Sequence, residues 1–316
     1  MNLSLPSPKE GKEEAMSKSC YGNPTCPEGV HEIYCCGSRV RISGEGIQVL
    51  TKPTVGYCPL HTALYGTIDI DKEAVRKSVE KKIAGHGFCC RNRVFDAEPV
   101  VAYGASEMMR VWLEKDLIDC AVVVCEGAGT VITTNGKLVQ AIGARLTGIV
   151  RTSPIREVIE HVTSEGGTIL DVTSAQIDQF EGVKRAFSSG FKRIAVSVAG
   201  FQAKAITEIK RFGKEEHVDI LVFSVCNTCV CSADVKHIAE ADVACASASK
   251  ILRSRIGSKA LLQLGMTIPV YALTEKGKRL TLSYLAEFSH KLVVFRTGKL
   301  PYDSRNKGPR LKARLK

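Results

Sequence analysis

The sequence predicts an α/β fold, a mostly parallel sheet with helices on both faces, plus a smaller cysteine-rich β-containing N-terminal portion. Three observations carry this expectation. Runs that are apolar throughout, such as Asp119 to Cys125 and Val218 to Val225, have the pattern of strands buried on both faces. Helix-period segments alternate with them from about residue 100. Stop signals fall between the two, as Gly190 does after the helix expected from Ser174 to Ser189.

Residues 1–30 mix charge, Pro and Gly with little periodicity and read as disordered. In the cysteine-rich portion, 31–99, β-like runs at Arg39 to Ile42 and Ile47 to Leu50 flank the turn Gly44-Glu45-Gly46. A helix is expected from Lys72 to Ala84, ended by Gly85. The α/β domain, 100–290, opens with a helix from Ser106 to Lys115, the strand Asp119 to Cys125 and the Gly127-Ala128-Gly129-Thr130 loop. Ser153-Pro154 has the chemistry of a helix start, with Ser as N-cap and Pro at the first position, running to about Val162. The strand Thr168 to Leu170 precedes the helix from Ser174 to Ser189. Next come strand Arg193 to Val198, helix Gln202 to Phe212, strand Val218 to Val225 and helix Ala233 to Glu240. Strand Val243 to Cys245, helix Lys250 to Ile256, strand Ile268 to Ala272 and a helix over Gly277 to Glu287 complete the domain. Residues 291–316 form a basic tail. Ligands in such sheets sit beyond the carboxyl ends of the strands, which puts Gly127 to Thr130, Ser197 to Gly200 and Cys226 to Cys231 on one rim.

No apolar run in the 316 residues approaches the roughly 20 needed to cross a bilayer. The first thirty residues lack a signal-peptide core, so the chain is read as cytoplasmic and without a membrane partner. Thirteen cysteines in that compartment are expected to be free thiols or metal ligands. Such a complement is easiest to keep reduced without oxygen, which points to an anaerobic host. The net charge is +11, but the stretch from Arg296 to Lys316 holds eight Lys/Arg and one acid. The basicity is therefore local, and the core is no basic groove, which argues against nucleic acid. The tail reads as a solvated extension or a segment that docks an acidic partner.

The sharpest chemical pattern is Cys226-Asn227-Thr228-Cys229-Val230-Cys231, directly after a buried strand. Three thiols there suit an iron–sulfur cluster or zinc, a redox dithiol, or plain packing. Cys58, Cys89 and Cys90 fall in loops and are the thiols expected to complete a metal site. Cys120, Cys125 and Cys245 lie within apolar strands and read as core. Gly127 and Gly129 with Thr130 offer either a phosphate cradle or a tight turn, and Arg145 is a candidate anion partner nearby.

Tyr57-Cys-Pro-Leu-His61, Gly104-Ala-Ser-Glu107 and Leu117 to Val131, with its Cys-Glu-Gly-Ala-Gly-Thr core, resemble the methanogenesis marker protein 8 family. Thr152-Ser-Pro-Ile155, Ile177-Asp-Gln179, Lys259-Ala-Leu-Leu-Gln263 and Ile268-Pro-Val270 extend the resemblance to most of the chain. It implies a setting in the methane metabolism of archaea, around methyl-coenzyme M reductase and within its protein complexes. Cys58, Cys89 and Cys120 are typical of that pattern, whereas Cys35, Cys36, Cys229 and Cys231 depart from it. A remoter likeness joins Leu113 to Cys125 and Val198 to Cys226 to the beta subunit of the deazaflavin-reducing hydrogenase, an iron–sulfur flavoprotein. Phe201 stands where that subunit has a cluster-binding cysteine. The leading expectation is a redox or maturation protein that binds an iron–sulfur cluster. A flavin- or deazaflavin-dependent oxidoreductase and a non-catalytic assembly factor are the alternatives.

Overall fold

A computed structural model describes residues 27–302 and 308–312. Residues 1–26, most of the segment expected to be disordered, lie outside the described residues, as do 303–307 and 313–316 of the basic tail.

The chain opens with β1 (Val30–Cys35), β2 (Ser38–Ser43) and β3 (Gly46–Val49), an antiparallel meander. In β2, buried Val40 and Ile42 alternate with exposed Arg39 and Arg41, so one face lies on a core. The β1–β2 turn is Cys36-Gly37, with φ of 50° and 73°. Two successive positive φ angles give the turn whose twist matches the flanking strands. β4 (Val55–Tyr57) leads to α1 (Pro59–Tyr65) and α2 (Lys72–His86). The Asp71 carboxylate starts α2 by accepting from the Ala74 amide at 2.7 Å.

There follow α3 (Ala105–Glu114), β5 (Cys120–Cys125), β6 (Gly129–Thr133), α4 (Gly136–Gly143), β7 (Gly148–Arg151), α5 (Arg156–Ser164) and β8 (Thr168–Ile169). Next are α6 (Gln179–Ser188), β9 (Arg193–Ala199), α7 (Lys204–Glu215), β10 (Asp219–Val225), α8 (Val235–Ile238) and β11 (Val243–Cys245). The last are α9 (Lys250–Arg255), β12 (Leu262–Leu264), β13 (Val270–Ala272), α10 (Glu275–Ala286) and β14 (Arg310–Leu311).

Eight strands form one sheet in the order β12-β13-β11-β10-β9-β5-β6-β8. The central four, β11, β10, β9 and β5, run parallel, and both margins are antiparallel. The expected α/β fold is present, with its parallel character concentrated in the middle. Period-2 alternation explains the two-sided core. In β5, Ala121, Val123 and Cys125 pack with α3, α4 and α5, whereas Cys120 and Val122 pack with α6 and α7. The single tryptophan, Trp112 on α3, is fully buried and donates its indole N–H to the Leu280 carbonyl of α10 at 2.8 Å.

β7 leaves this layer and pairs antiparallel with β1, giving a second sheet in the order β3-β2-β1-β7. Ile33 faces Ile149 and Tyr34 faces Gly148 in that pairing.

Two helix starts differ from expectation for local reasons. Ser153 does not cap a helix; its hydroxyl accepts from the Val30 amide at 2.9 Å and donates to the Val30 carbonyl at 3.1 Å. α5 consequently begins at Arg156. α6 begins at Gln179, because Asp171 folds the preceding residues into a turn through Thr173 and Ser174, and Asp178 is the cap. In the tail, β14 pairs with β4, and the Lys312 amide donates to the Thr54 carbonyl at 2.7 Å.

Candidate functional site: thiols where the two sheets meet

The parallel strands β5, β9, β10 and β11 end on one rim, at Cys125, Ala199, Val225 and Cys245. The β1–β2 turn reaches this rim from the second sheet. The Tyr34 ring lies 5.2 Å from that of Phe201, and the Cys229 thiol donates to the Gly37 carbonyl at 3.7 Å. β7 closes in between: a Cβ on Gly148 would stand 3.2 Å from the Phe201 ring and 3.3 Å from the Cys226 sulfur. A side chain there would make Phe201 and Cys226 give way by a few tenths of an ångström.

Part of the backbone strain falls at the same place. Cys36 and Cys226 are left-handed at φ of 50° and 53°, as is Ser247 at 48°, while Cys89, left-handed at 62°, lies apart from them. Each costs roughly 1–2 kcal/mol for a residue bearing a Cβ, and such costs concentrate at working sites.

The thiols fall into distinct neighbourhoods. Cys35 approaches the Ser78 hydroxyl of α2 at 3.5 Å and takes a hydrogen bond from the thiol of Cys36. That bond, with the charge of Lys82 and the Ser78 contact, outweighs desolvation and holds the Cys35 thiol below the usual thiol range. Cys36 is correspondingly held protonated, chiefly by its bond to Cys35 and by burial. Cys58, just before α1, lies within electrostatic reach of both, and burial pushes its thiol up. Cys89 and Cys90 are fully buried, with Cys89 beside Glu126, Arg93 and Cys125. Burial raises Cys226 to about 12, with the charge of Cys245 adding to it. Cys229 and Cys231 are exposed.

The proposed ligand set therefore does not gather as one unit. Cys58 joins Cys35 and Cys36, Cys226 sits by Cys245, and Cys89 keeps separate company. Among the described residues no three His, Cys, Asp or Glu side chains are grouped to hold one metal ion. Among the cysteines whose pKa is displaced, Cys35 alone moves down.

The Gly127–Thr130 loop is a hairpin turn between β5 and β6 with its donors engaged. The Gly127 amide donates to Thr152 Oγ1 at 2.7 Å, that of Ala128 to the Cys125 carbonyl at 3.3 Å, and that of Thr130 to the Gln176 carbonyl at 2.9 Å. Gly127 and Gly129 have φ of 79° and 75°. Arg145 is buried between α4 and β7 and lies within the fields of Arg93, Glu126, Asp96 and Tyr65. The Glu126 carboxylate is already paired with Arg93, both side chains fully buried.

Lys82, Ser78 and the Cys35-Cys36 turn were not singled out by sequence pattern as site residues. A trace was present: the buried stripe of α2 is Val75, Ser78, Val79, Lys82 and Ile83, so a lysine and a serine occupy an apolar face. The Lys82 ammonium donates to the Arg145 carbonyl at 2.9 Å and to Thr147 Oγ1 at 2.6 Å.

This is an α/β protein with a thiol-lined junction between two sheets. Residues 31–286 match the family described as "Uncharacterized protein conserved in archaea (DUF2099)", and the chain belongs to that family. It is 36% identical over 260 residues to "Uncharacterized protein MJ0054" of Methanocaldococcus jannaschii, a match covering 81% of this chain and 90% of that protein.

Proposed function

We propose that this chain is a redox-active thiol protein of archaeal methane metabolism, with Cys35 as its reactive thiolate. The observation that carries this reading is the Cys35-Cys36 turn set against Ser78 and Lys82 of α2. A thiolate present at neutral pH is the form that attacks a disulfide or binds a soft metal. In the exchange, the Cys35 sulfur forms a new S–S bond while the second sulfur of the partner disulfide leaves as thiolate. The setting is supported by the methanogen that carries the relative and by the resemblance to the methanogenesis marker protein 8 family, which points toward maturation around methyl-coenzyme M reductase.

An iron–sulfur cluster is the form of this reading that the donor set fits least, since the described thiols do not converge as three or more ligands. Cys35, Cys36 and Cys58 are the nearest set.

The test is alkylation of anaerobically purified protein, followed residue by residue. Cys35 should react with a half-maximal rate below the ordinary thiol range, and Lys82→Met should move that midpoint upward. A Cys35 no more reactive at pH 7 than the buried Cys226 would sink the proposal. Iron with labile sulfide would favour the cluster instead, and bound flavin the oxidoreductase.

A further inference from the structure

The chain leaves α10 with an apolar run laid open to solvent. Leu292, Val293, Val294 and Phe295 are 39%, 85%, 82% and 56% exposed, and every residue from 289 to 299 is exposed. Single apolar side chains on a surface are ordinary, whereas a contiguous run of this kind marks a contact. The main chain is equally unoccupied. Residues 291–296 belong to no helix or strand, and among the described residues their amides and carbonyls enter no backbone hydrogen bond. Val and Phe favour the extended backbone of a strand, so the run has the composition of a strand without a neighbour.

Both ends of the run are anchored, so it is presented rather than trailing. Before it, the Phe288 ring stacks 5.6 Å from that of Tyr103. After it, Tyr302 is tied to the Gln263 side chain of β12, its amide donating at 2.9 Å and its carbonyl accepting at 2.6 Å. The Tyr302 ring lies 5.0 Å from that of Phe295. Tethering of this kind lowers the ordering cost of a bound segment.

Charge decides what the run fits. Lys291 and Arg296 bracket it, and both are exposed. If two copies of this chain paired the run antiparallel about its centre, Lys291 of one copy would face Arg296 of the other. Like charges directly opposite each other oppose such a pairing. An edge with carboxylates at those two positions would form ion pairs with both cations instead. The run also lies outside residues 31–286, the part of the chain that matches the family.

We propose that residues 291–296 are a docking strand that adds to the free sheet edge of an acidic partner protein, an edge with carboxylates on either side of an apolar centre. Main-chain hydrogen bonds supply the attachment. With the two-residue period of a strand, Val293 and Phe295 serve one face and Leu292 and Val294 the other, while Lys291 and Arg296 fix the register. This role goes beyond the thiol reading and does not depend on it.

The test uses the whole chain and a pair of cyclised β-hairpin peptides. Each peptide presents a free edge of Val and Thr, flanked by glutamates in one and by lysines in the other. Fluorescence anisotropy should show the glutamate hairpin binding about tenfold more tightly, with an affinity that falls as salt rises. Val294→Pro removes a main-chain donor and should abolish binding, as should Val293→Asp/Val294→Asp. Lys291→Glu/Arg296→Glu should reverse the preference between the hairpins. These side chains are exposed, so the unfolding midpoints of the variants should match wild type and separate lost docking from lost folding. Cys35→Ser should bind as wild type does, which keeps this outcome apart from the fate of the thiol proposal. Failure of the glutamate hairpin to bind, equal binding of both hairpins, or undiminished binding by Val294→Pro overturns the proposal. So does a dimer of the chain alone that Val293→Asp/Val294→Asp dissolves, since the run would then serve a second copy.

Discussion

At the scale of single residues, the most exacting position is Gly129. It combines a φ of 75° with a close approach: a Cβ there would collide with the Ala175 and Gln176 backbone. Gly129→Val should therefore lower stability by about 3 kcal/mol, the upper end for a strained backbone position. Chemical denaturation measures this, and a loss under about 1 kcal/mol would show that the turn can relax. The sequence announced two glycines in a loop but left cradle and turn open. The choice depended on Thr152 and Gln176, partners distant in the chain that engage the amides. Cys35 was obscured for a similar reason, since an adjacent thiol pair says nothing about which helix lies across it.

Elements of secondary structure were legible wherever one pattern ran long enough. Strand Val243 to Cys245 has the expected bounds, and α2, α3 and β9 lie within two residues of theirs. Short elements whose partners are remote escaped notice, namely α1, α4, β7 and β12. β14 belongs with them: a basic tail gave no apolar period, yet Leu311 packs on the core under the second sheet and Arg310 stacks 4.8 Å from the Tyr57 ring. Truncation after Asn306 should cost about 1–2 kcal/mol through lost pairing with β4 and exposure of Val55, while unfolding stays cooperative. An unchanged melting temperature would mean that β14 contributes nothing to the fold.

For the whole molecule, the decisive contact is the pairing of β1 with β7, which binds the cysteine-rich portion to the α/β layer. Composition marks a difference between these regions near residue 100, but cannot show that residues 148–151 cross back over it. Burial within the N-terminal portion also shapes the acid response. His31, His61 and His86 all have pKa values below 6.5, chiefly through desolvation, with His61 and His86 at about 4. Below pH 6.5 the unfolded chain takes up protons that these folded sites refuse, so stability falls as pH drops from 6.5 toward 4 and is fully held above that window. Urea midpoints at pH 7 and 4.5 should differ, and the difference should shrink in His61→Leu/His86→Leu. Equal pH slopes in variant and wild type would assign the acid response to the carboxylates instead. Among the described residues no helix is long and apolar enough to cross a membrane.

Trp112 gives the fold an optical reporter at a known address. Sealed in the core and tied to Leu280, the only indole in the chain should emit at short wavelength and be shielded from iodide. A shift to longer wavelength would then mean that α3 and α10 have parted, whatever has happened at the thiols 35 and 36. Fluorescence and thiol labelling thus time the opening of two separate regions in one experiment, and coincident curves would identify a single cooperative unit.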